Sequence, residues 1–518
     1  MTMVSLWGGE PVPGCLFGSL TEADPDRVAL VDGELLLTYA GLLAWARRIA
    51  DLLDEHGVRA GDMVAVTGPR GAATTAAMLG ITYLGAVYVP LDPEYPRRRL
   101  TYMLDDSGAQ VLLHTGAVPQ LGGTARLLAI PGPYDGAAPG DRKPVDCRPD
   151  LGFYAIYTSG STGWPKGVVI PHSCLDAMVS WQAGHSPQPD LRTAQFAPLN
   201  FDVSFQEILG TLRGGGTVVY VPEELRRHPA GLLSWLVANR IERLFLPYMA
   251  LQMLAIAVTT AADVSGVALR EVNVAGEQLV VTGDIRTMFR RLPAARLVNH
   301  YGQSESAMVT SHVLPADVDA WPAIPPIGVP LPGCEVLVDP PDPAEPEVGE
   351  LLVAGLPVSL GYLHRPELNA DRFRTVPPTP RGHTTVFRTG DLVRAAGGTV
   401  TFLSRVDSQV KIRGVRIDLA EVDAHLLGRP GVKAAACVSV PTPSGTRKLR
   451  AAVTAHDDGP PPDVYTLRQY LREVLPEASV PASITVLPEL PRTPSGKIDR
   501  DAVAGLVTAA LGVRPGFA

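Results

Sequence analysis

Helix-type and strand-type apolar patterns alternate along residues 38–92, and this alternation restricts the fold more than any other feature. In TYAGLLAWARRIADLLDEH (38–56), Leu42, Leu43, Ala46, Ile49, Leu52 and Leu53 fall at helical spacing, with Gly57 placed to end the helix. MVAVTG (63–68) then reads as a buried strand, and ITYLGAVYVPLD (81–92) as a helix end running into another strand. Such alternation predicts a parallel α/β sheet covered by helices. A chain of 518 residues is too long for one core, so about two to four domains are expected.

Breaks rich in Pro and Gly fall at 131–150 and 374–385, and GPPPD (459–463) reads as a surface loop. After about residue 407 the pattern changes. A helix is expected near 419–427, strands near 433–440 and 448–455, a helix near 465–474 and a strand near 483–488. These would form a small α+β domain of about 110 residues.

With 45 basic and 53 acidic side chains the formal charge is −8, which argues against a broad nucleic-acid footprint. The first residues, MTMVSLWGGEPVPG, do not resemble a secretory signal, and no run approaches the roughly 20 apolar residues of a membrane span. Five cysteines (Cys15, Cys147, Cys174, Cys334, Cys437) are scattered without metal-ligand spacing, which suggests reduced, structural thiols in a cytoplasmic protein.

Residues 157–167, YTSGSTGWPKG, fit neither a regular helix nor a regular strand. Glycines that admit a close ligand, followed by hydroxyl donors and a lysine, suit a phosphate. The segment is not the G-x-x-x-x-G-K-[ST] nucleotide loop, because Gly167 follows Lys166 and Pro165 precedes it. Similar polar islands recur: FDVSFQE (201–207), NHYGQSES (299–306), GELLVAG (349–355), FRTGDL (387–392), SRVDSQVKIRGVRIDLAEVD (404–423) and PRTPSGKIDR (491–500).

In this order and spacing the islands resemble the adenylate-forming superfamily, above all the amino-acid adenylation domains of nonribosomal peptide synthetases. The resemblance runs from LTY (37–39) to the C-terminal GK. It implies a large N-terminal part, 1–406, of doubly wound α/β subdomains plus a β-barrel-like subdomain. A small mobile α+β domain, 407–518, would carry a catalytic lysine. The implied reaction joins a carboxylate to the α-phosphate of ATP, releases pyrophosphate, and then moves the acyl group to a thiol with loss of AMP.

By the same resemblance, Thr158, Ser159, Gly160, Ser161, Thr162, Gly163 and Lys166 would handle the β- and γ-phosphates. Glu305, with Thr158, would hold Mg²⁺, a cation that prefers oxygen ligands. Asn299, Tyr301, Ser304, Asp391, Phe402 and Arg405 would complete the ATP site, with Tyr301 against adenine and Asp391 and Arg405 at the ribose. Lys497 would serve the first half-reaction and the segment from Lys411 to Gly414 the second, after a swing about Asp407. The chain departs from the family at Ser404, where glycine is usual, and at Gln303-Ser304, where Pro-Thr is usual.

Carried over by motif, the substrate pocket comprises Asp202, Val203, Gln206, Phe245, Asn273, Ala275, His300, Met308 and Val309, closed by Lys497. Asp202 would grip an α-amino group, since a buried carboxylate implies a cationic partner. Apolar Val203, Ala275, Met308 and Val309, with bulky Phe245, Gln206 and His300, imply a small apolar substrate. The set resembles that of L-prolyl-AMP ligases except at Asn273, which leaves a ring methyl or hydroxyl open. No carrier-protein motif follows Lys497, so the resemblance implies a separate phosphopantetheinylated peptidyl carrier protein, as for stand-alone prolyl-adenylating enzymes that feed pyrrole-2-carboxyl biosynthesis. A substituted proline or another small amino acid, an acyl- or aryl-CoA ligase, an amide ligase and an inactive relative are the alternatives.

Overall fold

The computed structural model describes residues 3–11, 15–116, 121–135, 143–144, 150–160, 163–405, 409–412, 414–442, 447–456, 461–492 and 498–510. Ser161, Thr162, Asp407 and Lys497, the 406/407 boundary, Cys147 and parts of the 131–150 and 459–463 breaks therefore lie outside the described residues.

The expected α/β alternation is present. The helix Tyr39–Glu55 starts at Thr38, whose side chain accepts from Gly41 N, and ends before Gly57, which takes a left-handed φ of 85°. It buries Leu42, Ala46, Ile49 and Leu53 against the helix Ala72–Tyr83. Gly80 permits that approach, since a Cβ there would stand 2.7 Å from the Ala46 carbonyl oxygen. Met63–Thr67 and Val87–Leu91 pair in parallel, residue for residue, from Met63↔Val87 to Thr67↔Leu91.

These strands sit in a seven-stranded sheet, and a second sheet has nine strands. The second has a parallel centre that includes Arg192–Gln195, Arg243–Leu246, Glu271–Val274 and Arg296–Gln303. A six-stranded sheet, built on Cys334–Asp339, Val348–Gly355 and Thr385–Ala396 in antiparallel register, is the third large sheet. One core cluster joins the seven- and nine-stranded sheets through Tyr88, Phe153, Phe205 and Leu209.

The 157–167 stretch is in part more regular than its composition suggests. Gly152–Thr158 and Lys166–Pro171 are antiparallel partners, with Thr158 opposite Lys166, so the ladder reaches into both ends of this stretch. β-Branched and apolar flanks carry the ladder up to the glycines.

The elements expected after residue 407 are all present: Leu419–Leu427, Val432–Pro441, Arg447–Ala455, Val464–Val474 and Ile484–Val486. They enclose their own core around Val422, Leu426, Leu449, Val453, Leu467 and Leu471. Two further elements are the hairpin Gln409–Ile412/Val415–Asp418 and the helix Arg500–Ala509.

Candidate active site

Three parts of the chain meet around Glu305. The strands Arg296–Gln303 and Ala307–Val313 form an antiparallel pair whose short turn holds the carboxylate. Ala307 adopts φ 43°, the left-handed region that side chains avoid, so the turn stores local strain where Glu305 is presented. Glu305 has no solvent exposure. Its Oε1 accepts from the Tyr362 hydroxyl at 2.9 Å and faces Lys166 Nζ at 3.6 Å, while Arg416 Nη1 donates to Oε2 at 2.6 Å. Burial alone would raise the carboxyl pKa, but the Arg416 and Lys166 cations and the Tyr362 hydroxyl outweigh it and hold Glu305 ionised, well below the usual range.

Lys166 leaves the loop and lies over the Tyr362 ring at 4.3 Å from its centre. Burial draws its pKa down to about 8, against the pull of Glu305. Gly163 N donates to the Gly160 carbonyl at 3.1 Å, and Gly163 has φ 88°. Ser159 Oγ donates to the Arg416 carbonyl at 3.2 Å and accepts from Asp418 N at 3.1 Å. Thr158 Oγ1 is buried without a hydrogen-bond partner.

Asp391 is the second focus. Tyr301 Oη and Gln303 Nε2 each donate to its Oδ2 at 2.5 Å, and Arg405 donates to Oδ1. Gln303, a departure from the family, thus ties Asp391 to the Glu305 turn and also reaches the Thr389 carbonyl at 3.1 Å. Asn299 donates to the Pro326 carbonyl at 2.8 Å. Ser304 and Phe402 are half-buried near these groups in sequence, with Phe402 packed on the main core.

Asp202 caps the helix Val203–Arg213 and accepts from Val203 N at 2.9 Å. Burial raises its pKa, opposed first by the Lys411 cation. Phe245 and Asn273 are register partners on neighbouring parallel strands, and Asn273 faces Val298. His300, two residues beyond Val298, therefore projects to the same side. Gln206 Nε2 lies 3.3 Å from both His300 Nδ1 and Met308 Sδ. A bulge sets Tyr301↔Thr310 beside Gly302↔Met308, so Met308 and Val309 oppose a single step of the partner strand. The structure thus brings Gln206, Phe245, Asn273, His300 and Met308 together, while Val203 and Ala275 are half-buried at strand and helix ends.

Several residues of this site escape sequence reasoning. One layer below Phe245 and Asn273, the register aligns Arg243, Glu271 and Arg296. Glu271 pairs with Arg243 at 3.0 Å and with Arg296 at 2.5 Å. Trp181 packs edge-on against His300 at 5.9 Å. Glu207, in the FDVSFQE motif, binds Phe196 N and Ala197 N at 3.1 Å and Gln195 Nε2 at 2.8 Å, fixing the segment that leads to Asp202. Tyr362 and Arg416 complete the Glu305 shell, and their signal in sequence was only proximity to motifs.

Lys411 stands opposite Arg416 in the 409–418 hairpin. Gly414 N donates to Glu277 at 2.8 Å, so the hairpin turn is docked in the large lobe. Burial lowers the Lys411 pKa, with Asp391 and Asp202 opposing that shift. Arg99 and Glu421 pair at 2.8 Å across the same junction.

A buried lysine and carboxylate beside a glycine–hydroxyl loop, with a second carboxylate bound by a tyrosine and an arginine, define an enzyme site built for a nucleotide. The chain belongs to the AMP-binding enzyme family, whose model matches residues 20–363, with the AMP-binding enzyme C-terminal domain matching 421–497. Tyrocidine synthase 2 of Brevibacillus parabrevis is 34% identical over 501 residues, 94% of this chain but 14% of that protein. Isonitrile lipopeptide synthase of Streptomyces coeruleorubidus is 36% identical over 522 residues, 97% of this chain and 34% of that protein. The chain therefore spans only a small part of these curated relatives. Among solved structures, a nonribosomal-peptide protein containing adenylation and PCP domains, bound to a vinylsulfonamide inhibitor, matches with TM-score 0.80 and 26% identity over 97% of this chain and 88% of that one. An amide bond synthetase from Marinactinospora thermotolerans matches with TM-score 0.78 and 25% identity over 95% and 99%.

Proposed function

We propose that the protein activates L-proline or a close analogue with ATP and passes it to the phosphopantetheine thiol of a separate peptidyl carrier protein. In the first half, a substrate carboxylate oxygen bonds to the α-phosphorus and the bond to the β-phosphate oxygen breaks. In the second, a thiolate bonds to the acyl carbon and the bond to AMP breaks. Lys166, Ser159 and the glycine loop would hold the leaving phosphates, Asp391 and Arg405 the ribose, and Asp202 the substrate nitrogen. Lys497 would bridge carboxylate and phosphate in the first half, and Lys411 would face the adenylate in the second.

Mg²⁺ fits the residues present. Glu305 offers an ionised carboxylate and Thr158 a buried hydroxyl without a partner. A magnesium ion that keeps waters and phosphate oxygens needs few protein ligands. Bound there, it would neutralise phosphate charge. Among the described residues no three His, Cys, Asp or Glu side chains cluster as a metal site.

The observation that carries the proline reading is the contrast within the pocket. Asp202 stands at a helix N-terminus under the influence of the Lys411 cation, while the Phe245, Met308 and His300 side of the pocket is uncharged, His300 being drawn down to about 4 by burial. A small amino or imino acid with an uncharged side chain suits that arrangement. The free state of Cys15, Cys174, Cys334 and Cys437 supports a cytoplasmic setting, and no helix among the described residues could cross a membrane. Amino-acid-dependent ATP–pyrophosphate exchange is the test. A maximum for proline or a substituted proline is expected, with carrier protein and not CoA as acceptor. Exchange with aryl or fatty acids alone would overturn the amino-acid reading.

A further inference from the structure

The polar groups of the pocket floor have fixed orientations. Asn273 Nδ2 donates to Glu271 Oε1 at 3.2 Å and to the Leu244 carbonyl at 3.3 Å. Both partners are acceptors. Glu271 stays ionised because Arg243 and Arg296 grip it from two sides, and turning the amide over would set Oδ1 against two oxygens. The group left for a ligand is therefore Oδ1, an acceptor.

On the neighbouring strand the complement is present. Gln206 Nε2 lies 3.3 Å from Met308 Sδ, a thioether that can only accept and so turns the amide NH₂ toward it, and that same NH₂ lies 3.3 Å from His300 Nδ1, which must then accept. The Nδ1 lone pair is thus in use, and the ring proton of neutral His300 resides on Nε2. Phe245 and Trp181, with ring centres at 6.4 Å and 5.9 Å, fix the imidazole on its flanks. An acceptor and a donor are thereby offered from one face of adjacent strands, Asn273 opposite Val298 and His300 two residues on.

We infer that Asn273 and His300 select a substrate hydroxyl, so that among the close analogues of proline a ring-hydroxylated imino acid is preferred over proline and over a methylated proline. A hydroxyl donates to Asn273 Oδ1 and accepts from His300 Nε2–H at once. A methyl group does neither, and an unsubstituted ring leaves both buried groups unpaired, which is how sites discriminate against a missing hydroxyl. The inference rests on the amino-acid-activating reading above and specifies the side chain it takes.

The test compares kcat/KM in ATP–pyrophosphate exchange for 4-hydroxyproline, proline and 4-methylproline, and for threonine against valine, with wild type, Asn273→Leu and Asn273→Ala. Wild type is expected to favour hydroxyproline over proline by at least about tenfold, and Asn273→Leu to reverse the preference. The ratio is internal to each variant, so a purely structural role for Asn273 would lower all rates and leave it unchanged. That result, or a wild-type preference for proline or methylproline, would overturn the inference. Exchange with threonine over valine but with no imino acid would support the hydroxyl contact and remove the proline reading. Exchange with valine alone would remove both. Should turnover be too low, dissociation constants for sulfamoyladenosine analogues of hydroxyproline and proline give the same comparison: tighter binding of the hydroxylated form, lost in Asn273→Leu, supports it, and equal binding in wild type overturns it.

Discussion

Arg99 Nη1 donates to Glu421 Oε1 at 2.8 Å, and the two residues, 322 apart in the chain, are almost wholly buried by each other's lobe. A buried pair is costly to break from one side, by about 3–5 kcal/mol, because it strands a charge. Glu421→Ala is expected to weaken the lobe orientation seen here. Carrier loading should fall more than tenfold while pyrophosphate exchange holds, and Arg99→Glu with Glu421→Arg should restore loading. Parallel loss of both half-reactions would show that the pair serves folding alone.

Arg416 and a magnesium ion would compete for the same carboxylate, since Arg416 already donates to Glu305 Oε2 at 2.6 Å. Arg416→Ala is expected to tighten the Mg²⁺ dependence of ATP binding by about tenfold, the scale of one charge-assisted bond. Calorimetric titration of ATP at fixed Mg²⁺ levels measures it. Weaker binding would place Arg416 among the nucleotide ligands.

Lys166 sits near pKa 8 because burial disfavours its charge. Above that pH it is largely neutral, and a phosphate anion would bring the proton back. Relative to Lys166→Ala, pyrophosphate binding at pH 8.5 is expected to take up roughly half to one proton more, and at pH 6.5 almost no more, because the amine is then already charged and the ligand's own protons cancel in the comparison. Binding heats in buffers of different ionisation enthalpy report the uptake. Equal values at both pH settings would remove Lys166 from phosphate contact.

Glu207→Ala leaves the Phe196 and Ala197 amides without their buried acceptor. A loss of about 3 kcal/mol in unfolding stability is expected, and a raised KM for the amino acid as the 195–202 segment shifts. Denaturant unfolding beside exchange kinetics separates the two effects.

Lys497→Ala is expected to slow adenylate formation by about 10²–10³-fold, the scale of one lost stabilising donor. Near-normal single-turnover adenylation would take Lys497 out of the chemistry.

Local chemistry was legible in the sequence wherever neighbours in the chain decide it. The helix Tyr39–Glu55 followed from apolar spacing, with Thr38 at its start and Gly57 just past its end. The Arg243–Glu271–Arg296 cluster was not legible. Each charge sits alone on its own strand, and only the parallel register brings the three into line. The same holds for Arg416, whose role depends on a hairpin docking against Glu305, 111 residues away. Asn273 shows the intermediate case: loose flanking motifs gave only its approximate place, and the direction of its amide required Glu271 to be seen beneath it.

That ion cluster also sets the terms on which the pocket could be redesigned. Trimming Asn273 would not open hydrocarbon space; it would uncover a carboxylate clasped by two guanidinium groups. A longer apolar side chain pushed downward would meet charges it cannot solvate, and the added contact area would not offset that cost. Room for bulkier acids lies sideways, at Phe245 and Met308, where uncharged side chains form the wall. On the proposed reading, specificity would be changed sideways, around three charged residues that need not touch the substrate.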